Sequence, residues 1–485
     1  MSRRAEQTPT TPLEDLQREI VRLRRELERS EAERATVERE RARLERENAR
    51  LKDELETARR AGARQAAPFS KGAPKRRPRR PGRKPGAAYG RRGQRPVPPV
   101  VHEPLDVPVP TTCPACGGRV RETHVAAQYQ EDLPPVEPIV RRFDVHVGEC
   151  AGCHRRVQGR HPLQTSDALG AAAVQVGPQA IALAVMLNKQ FGLSFGKIAT
   201  LFRVRFALHV TPSALVRALH RAAAQGQPTY EALCETVRTS PVVVPDETGW
   251  KVKALLHWLW VFATATTTVY RIRAGRGFRD AASVLGEDFA GGLGRDGWAP
   301  YRQFAHAFHQ TCLAHLLRRC RTLQHDHPRA RFPARVAAIL QHALAVRDRR
   351  AAGTISAHGV DVARGHLFNQ MLDLLTDPGV LPEMRRFARH LEVELPALFS
   401  FLVDPDLDAT NWRAEQAIRP AVITRKVCGG GNRSRRGADT QQVLASILRT
   451  AHQRGLDPTD VLTTLLRAPA LIVSPHFYPT AASVN

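Results

Sequence analysis

From residue 13 to 55, seam positions recur at alternating steps of three and four: Leu13, Leu16, Ile20, Leu23, Leu27, Ser30, Arg34, Val37, Arg41, Leu44, Asn48, Leu51 and Leu55. This heptad period, flanked by Glu and Arg, predicts a long helix that pairs with a second copy as a coiled coil over residues 1–58. A polar Asn48 at an a position would fix register, whereas Ser30, Arg34 and Arg41 weaken the middle of the seam. A solvated charged helix without a partner is the alternative. Further on, residues 166–237 read as helical. Ser194 can cap Phe195–Val204, and Thr211-Pro212-Ser213 can start Ala214–Ala224. The pair is compatible with a helix-turn-helix or an ordinary helical hairpin.

The period changes at Pro241. Val242–Val244 predicts a short buried strand ending at Asp246, Leu256–Ala263 and Thr268–Arg273 predict two more, and Phe278–Phe289 predicts a helix. Gly291–Arg295 then leads to Asp296. Strand, strand, strand, helix, strand is the order of a ribonuclease-H-like fold, in which the first and fourth strands are neighbours and the two Asp side chains would meet. A third acid fits from Asn411-Trp-Arg-Ala-Glu415-Gln-Ala-Ile-Arg419, where Asn411, Glu415 and Arg419 share roughly one helical face. The fold class expected is therefore multidomain α+β: coiled coil, zinc ribbon, helical segment, and an α/β catalytic core with a helical insertion.

Charge adds a partner to this picture. The 485 residues carry a net charge of +26, and 14 basic residues lie between Arg59 and Arg95, with no acid from Thr57 to His102. This Pro- and Gly-rich stretch predicts an extended arm over residues 59–100 that holds DNA phosphates without reading sequence, Arg76, Arg77, Arg79, Arg80, Arg83 and Lys84 foremost. A merely solubilising linker is the bland alternative. Ala168–Asn188 is interrupted by Gln175, Gly177, Pro178 and Gln179, and Ala254–Tyr270 suits a strand pair, so no membrane span is expected. Without an apolar leader at its start, the chain is expected in the bacterial cytoplasm, at the nucleoid.

Eight cysteines in a cytosolic chain speak against a disulfide framework. Cys113-x2-Cys116 and Cys150-x2-Cys153 have the spacing of a four-thiolate ribbon over residues 101–165, binding one structural Zn²⁺, with Ile139–Val147 as an intervening strand. Cys312, His315, Cys320, His325 and His327 could form a second metal site. The plainer reading has Cys312 buried after a core strand, with His315 and Arg318 supporting the active centre. Arg419, Arg425 and Lys426 suit DNA phosphates near the acids.

Five motifs in order carry a family resemblance: DETGW, DGWAPY, the Cys312/His315/Arg318 cluster, N-x3-E-x3-RP, and ITRK. Together with the basic arm and its Pro81-Gly82 and Pro85-Gly86 pairs, the chain resembles the insertion-sequence 66 family of DDE transposases over nearly its whole length. Ala87, Leu313 and Gln416 depart from the usual pattern. The resemblance implies Asp246, Asp296 and Glu415 as catalytic acids holding two Mg²⁺ or Mn²⁺ ions, within a domain over 238–436. It also implies a helical insertion at about 328–404, a helical tail over 437–485, and small accessory proteins of the same element. The activity implied is cleavage of double-stranded element ends and their joining to target DNA. A coiled-coil DNA-binding regulator and a nuclease that only hydrolyses are the alternatives.

Overall fold

The computed structural model describes residues 12–62, 96–164, 175–379, 381–427 and 430–467. The arm residues Arg76 to Lys84 lie outside them. The chain divides into two units. One comprises Met1–Ala66, Val145–Ile198 and Thr211–Asn485; the other comprises Ala67–Asp144 and Ala199–Val210.

In the larger unit, helix α1 (Pro12–Gly62) runs unbroken for 51 residues. Its apolar seam faces solvent, with Leu23, Leu27, Leu44 and Leu51 all at least half exposed. The short strands β1 (Val147–Glu149) and β2 (Arg156–Gln158) form an antiparallel ribbon. Helices α2 (Pro178–Lys189), α3 (Phe195–Phe206), α4 (Pro212–Gln225) and α5 (Gln227–Arg238) follow, α3 running on into the smaller unit. The expected caps are present: Ser194 Oγ accepts from Lys197 N, and Thr211 Oγ1 from Ala214 N. α4 buries Leu215, Ala218, Leu219 and Ala222 and exposes Arg217 and Arg221.

A six-stranded sheet organises the rest. Its members are β3 (Val242–Val252), β4 (Leu255–Ala263), β5 (Thr268–Arg273), β6 (Gly292–Arg295), β7 (Phe308–Thr311) and β8 (Gly431–Asn432). The order is β5-β4-β3-β6-β7, with β8 beside the far end of β3. β4 is antiparallel to β3 and β5, whereas β6 lies parallel to β3 and β7. Helix α6 (Phe278–Leu285) makes the crossover from β5 to β6 and stops at Gly286, whose φ of +84° a side chain would resist. This end is earlier than the periodicity to Phe289 suggests.

β3 also differs from expectation. It continues past Asp246 to Val252, because Glu247–Val252 gain partners in Leu255–Trp260 across a tight turn at Lys253-Ala254. β6 forms despite its glycines, since packing needs them. A Cβ on Gly291 would lie 2.9 Å from the Pro241 carbonyl, and one on Gly292 3.0 Å from Leu407.

Beyond β7 come α7 (Leu313–Asp326), α8 (Phe332–Ala351), α9 (Ala357–Thr376) and α10 (Pro382–Glu394). The last three fall within the span read as a helical insertion. Leu340, Leu367, Met371, Phe387 and Leu391 are packed in a core shared with Leu313 and Leu316 of α7. Helix α11 (Trp412–Val427) returns to the sheet, placing Ala414, Ala417, Ile418 and Val422 against Val261, Tyr270 and Ile272. Helices α12 (Arg435–Gln453) and α13 (Pro458–Arg467) close the unit.

In the smaller unit, the described residues 96–144 hold no strand or helix, only a bridge between Thr112 and Arg119. The strand expected over Ile139–Val147 is absent there, and Ile139 and Val140 are exposed. Without a neighbouring strand to take up their backbone groups, these apolar residues gain nothing from an extended ladder.

Candidate active site

Asp246 and Asp296 are brought together by the β3–β6 pairing. The register joins Val242 to Gly292 and Val243 to Leu293. Carried forward, the same step sets Asp296 level with Asp246. Glu415 enters from the first turn of α11. The three acids interact: burial holds the Asp246 carboxyl well above its usual range, the Glu247 charge adds to this, and Asp296 and Glu415 contribute further. A hydrogen bond from Glu247 N to Asp246 Oδ1 (2.8 Å) partly offsets the rise. Among the described residues, no group of three or more His, Cys, Asp or Glu is closed to metal-holding distance. The three acids are thus gathered without converging on a single ion. Their donor set is wholly carboxylate oxygen, which suits a hard divalent cation taking one or two acids and keeping its waters.

Two further residue sets fix the acids. Strand alternation turns Glu247 to the opposite face from Asp246, where it is buried and accepts from Arg276 Nε at 2.7 Å and from the Tyr301 hydroxyl. Arg276 is stacked over Trp258 and Trp298, at 4.6 and 4.0 Å from the ring centres. Trp298 donates its indole N–H to the Arg276 carbonyl and its backbone N–H to Asp296 Oδ1 at 2.9 Å. Burial raises Tyr301 well above its usual range, so it stays protonated and serves as donor to Glu247. The DETGW and DGWAPY strings are therefore linked through Glu247, Trp298 and Tyr301, a role that sequence reasoning did not give them.

The Cys312 cluster supports the third acid. The Cys312 thiol donates to Asn411 Oδ1 at 3.1 Å and accepts from Asn411 N at 3.3 Å, joining the start of α7 to the residue before α11. His315 Nε2 lies 4.0 Å from Glu415 Oε1. Its Nδ1 is buried and has no hydrogen-bond partner among the described residues. Arg318 is exposed on α7. Burial raises the Cys312 thiol and pushes the Cys320 thiol up to about 12, so both carry their proton in the folded chain.

The cations of α11 divide. Arg419 and Lys426 are exposed. Arg425 is buried and donates to Thr248 Oγ1 at 3.1 Å and to the Gly249 carbonyl, tying α11 to β3. Its inward path differs from the phosphate-facing one expected. β8 extends the anchorage: Trp250 Nε1 donates to Asn432 Oδ1 at 2.7 Å, and Gly431 lies so close to Lys251 that a Cβ would overlap the backbone.

Each cysteine pair forms its own knuckle. Backbone N–H groups of Ala115 and Cys116 hold the Cys113 thiol below its usual range, and those of Cys153 and Gly152 do so for Cys150. No closed four-thiolate site is found among the described residues, so the zinc ribbon read from the spacing is not supported. No described helix is long and apolar enough to cross a membrane.

Compared with known protein families, residues 173–440 are those of a transposase. The matching family is the transposase IS66 family, and since the match spans more than half of the sequence, the chain belongs to it. No curated protein matches the chain.

Proposed function

We propose that this transposase cleaves DNA at the ends of its element and joins them to a target, using Asp246, Asp296 and Glu415 in a ribonuclease-H-like core. The observation that carries this reading is geometric: the parallel pairing of β3 with β6 and the return of α11 bring Asp296 and Glu415 near enough to the buried Asp246 for both charges to bear on it. Repulsion of this kind is costly unless a cation relieves it. Two Mg²⁺ or Mn²⁺ ions, held by these acids, would activate the attacking oxygen and stabilise the leaving one. The chain's own work is to orient the acids: Glu247, Arg276 and Trp298 set Asp296, and Cys312 with Asn411 sets the start of the Glu415 helix. No side-chain nucleophile is required, since water and then a freed 3′-OH supply the attacking oxygen.

DNA would be held by the basic arm, by Arg419 and Lys426 beside the acids, and by the exposed Arg217 and Arg221 of α4. The exposed seam of α1 supports pairing with a second copy through a coiled coil. Purified protein incubated with Mn²⁺, a labelled element end and a target plasmid tests the reading. Joined product supports it, nicking without joining reduces it to a nuclease, and a shifted but intact duplex leaves only a DNA-binding regulator.

A further inference from the structure

Glu394, the last residue of α10, is fully buried, and three side chains donate to it. Arg295 Nη1 reaches Oε2 at 2.6 Å, Arg302 Nη1 reaches Oε1 at 2.8 Å, and Thr311 Oγ1 reaches Oε2 at 2.5 Å. Both arginines also donate to the turn that carries Asp296. Arg295 Nη1 lies 3.0 Å from the Asp296 carbonyl, and Arg302 Nη1 lies 3.5 Å from that of Gly297. One helical turn earlier on α10, the ring of His390 presses on the same turn, so that a Cβ added to Gly297 would come within 2.7 Å of it. Burial alone would raise the Glu394 carboxyl, but the Arg295 charge and the Thr311 hydrogen bond leave it below its usual range and therefore ionised.

A buried ion triad is poor evidence of a purely stabilising role, because apolar side chains of similar volume often serve stability equally well. Its distinctive product here is geometric: two successive carbonyls, those of Asp296 and Gly297, are held from one carboxylate on another substructure. We propose that α10 of the helical insertion is a positioning clamp, in which Glu394, through Arg295 and Arg302, and His390, through Gly297, set the backbone that aims Asp296. Glu394 is a positioning residue, and the proposal rests on Asp296 being a metal-holding acid.

The test uses the full chain without DNA, read by thermal melting and by calorimetric titration with Mn²⁺ alone. An Arg295→Met/Arg302→Met/Glu394→Leu variant replaces the triad by apolar groups and is expected to melt near the parent. Its Mn²⁺ midpoint should nevertheless rise by about tenfold or more, the usual loss when a group supporting a metal ligand is removed. Gly297→Ala keeps every charge, pushes a methyl group into His390, and should raise the midpoint in the same direction; it decides the matter alone if the triple variant does not fold. A folded variant whose midpoint stays with the parent's overturns the clamp, including one that loses only thermal stability. The Asp296→Asn variant separates the two levels: if its isotherm equals the parent's, the three-acid site itself is wrong and the clamp falls with it.

Discussion

Cys312 and Asn411, 99 positions apart in the chain, each give the other a hydrogen bond, thiol to amide oxygen and backbone N–H to sulfur. The contact is buried and joins the N-terminus of α7 to that of α11, four residues before Glu415. Replacing Cys312 by Ala removes the donor and the acceptor together, at a cost of roughly 1–3 kcal/mol for unpaired buried groups. Cys312→Ser should recover part of it. Denaturant unfolding of the two variants measures the difference, and equal midpoints for parent and Cys312→Ala would mean that the contact does not hold the two helices together.

Each of Asp246→Asn, Asp296→Asn and Glu415→Gln should abolish cleavage and joining while leaving DNA binding near that of the parent, because the change removes a negative charge from a basic protein. Gel-shift and cleavage assays on the same preparations check this. Near-normal cleavage by any one variant takes that residue out of the site.

The Glu247 network predicts a split between shape and charge. Arg276→Lys keeps the charge opposite Glu247 but loses the planar group lying over Trp258 and Trp298. It should destabilise the fold by roughly 1–2 kcal/mol, from the missing stack and a weaker hydrogen bond. Chemical denaturation followed by tryptophan fluorescence reads both the stability and the altered ring environment, and an unchanged curve argues against the stack.

Stability should fall on mild acidification. His309 accepts from Arg295 Nε at Nδ1 (3.2 Å) and donates from Nε2 to the Phe304 carbonyl (2.9 Å), an arrangement that requires the neutral ring. Burial lowers its proton affinity, so the unfolded chain binds the proton more readily than the folded one. The contribution is whole above the ordinary histidine value of about 6.5 and is lost as pH falls from there through the folded-state value. Melting temperatures should therefore drop as the pH is lowered through that range, and less steeply in His309→Gln, which keeps one donor and one acceptor. Parallel pH profiles for parent and variant contradict the assignment.

Deleting residues 59–95 removes 14 basic side chains and no acid. Non-specific DNA affinity should fall, and the slope of log affinity against log salt should flatten according to how many phosphates the arm neutralises. Binding titrations at several salt concentrations test this; an unchanged slope would make the arm a linker.

The strands at 255–263 and 268–273 and the caps at Ser194 and Thr211 were readable because local chemistry alone decides them: β-branched runs between turn residues, and hydroxyls that accept helix N–H groups. The pairing of Asp246 with Asp296 was also accessible, through the order of elements. The full length of β3 was not, because its second half is extended only by virtue of β4 and β8 on either side. The inward turn of Arg425 was equally hidden, since a helix sequence names a cation without saying which neighbour will take its charge.

Sequence by itself thus determined which residue types were available: a heptad seam, a basic arm, two cysteine knuckles, and three acids at the edges of β and α patterns. Tertiary structure alone decided which of them meet. It made Glu247 a support through Arg276 and Tyr301 and brought Glu394 from a distant helix to the turn of Asp296. The reason is physical: periodicity and capping act over a few residues and are written locally, whereas a buried charge takes its role from partners that only the folded chain supplies.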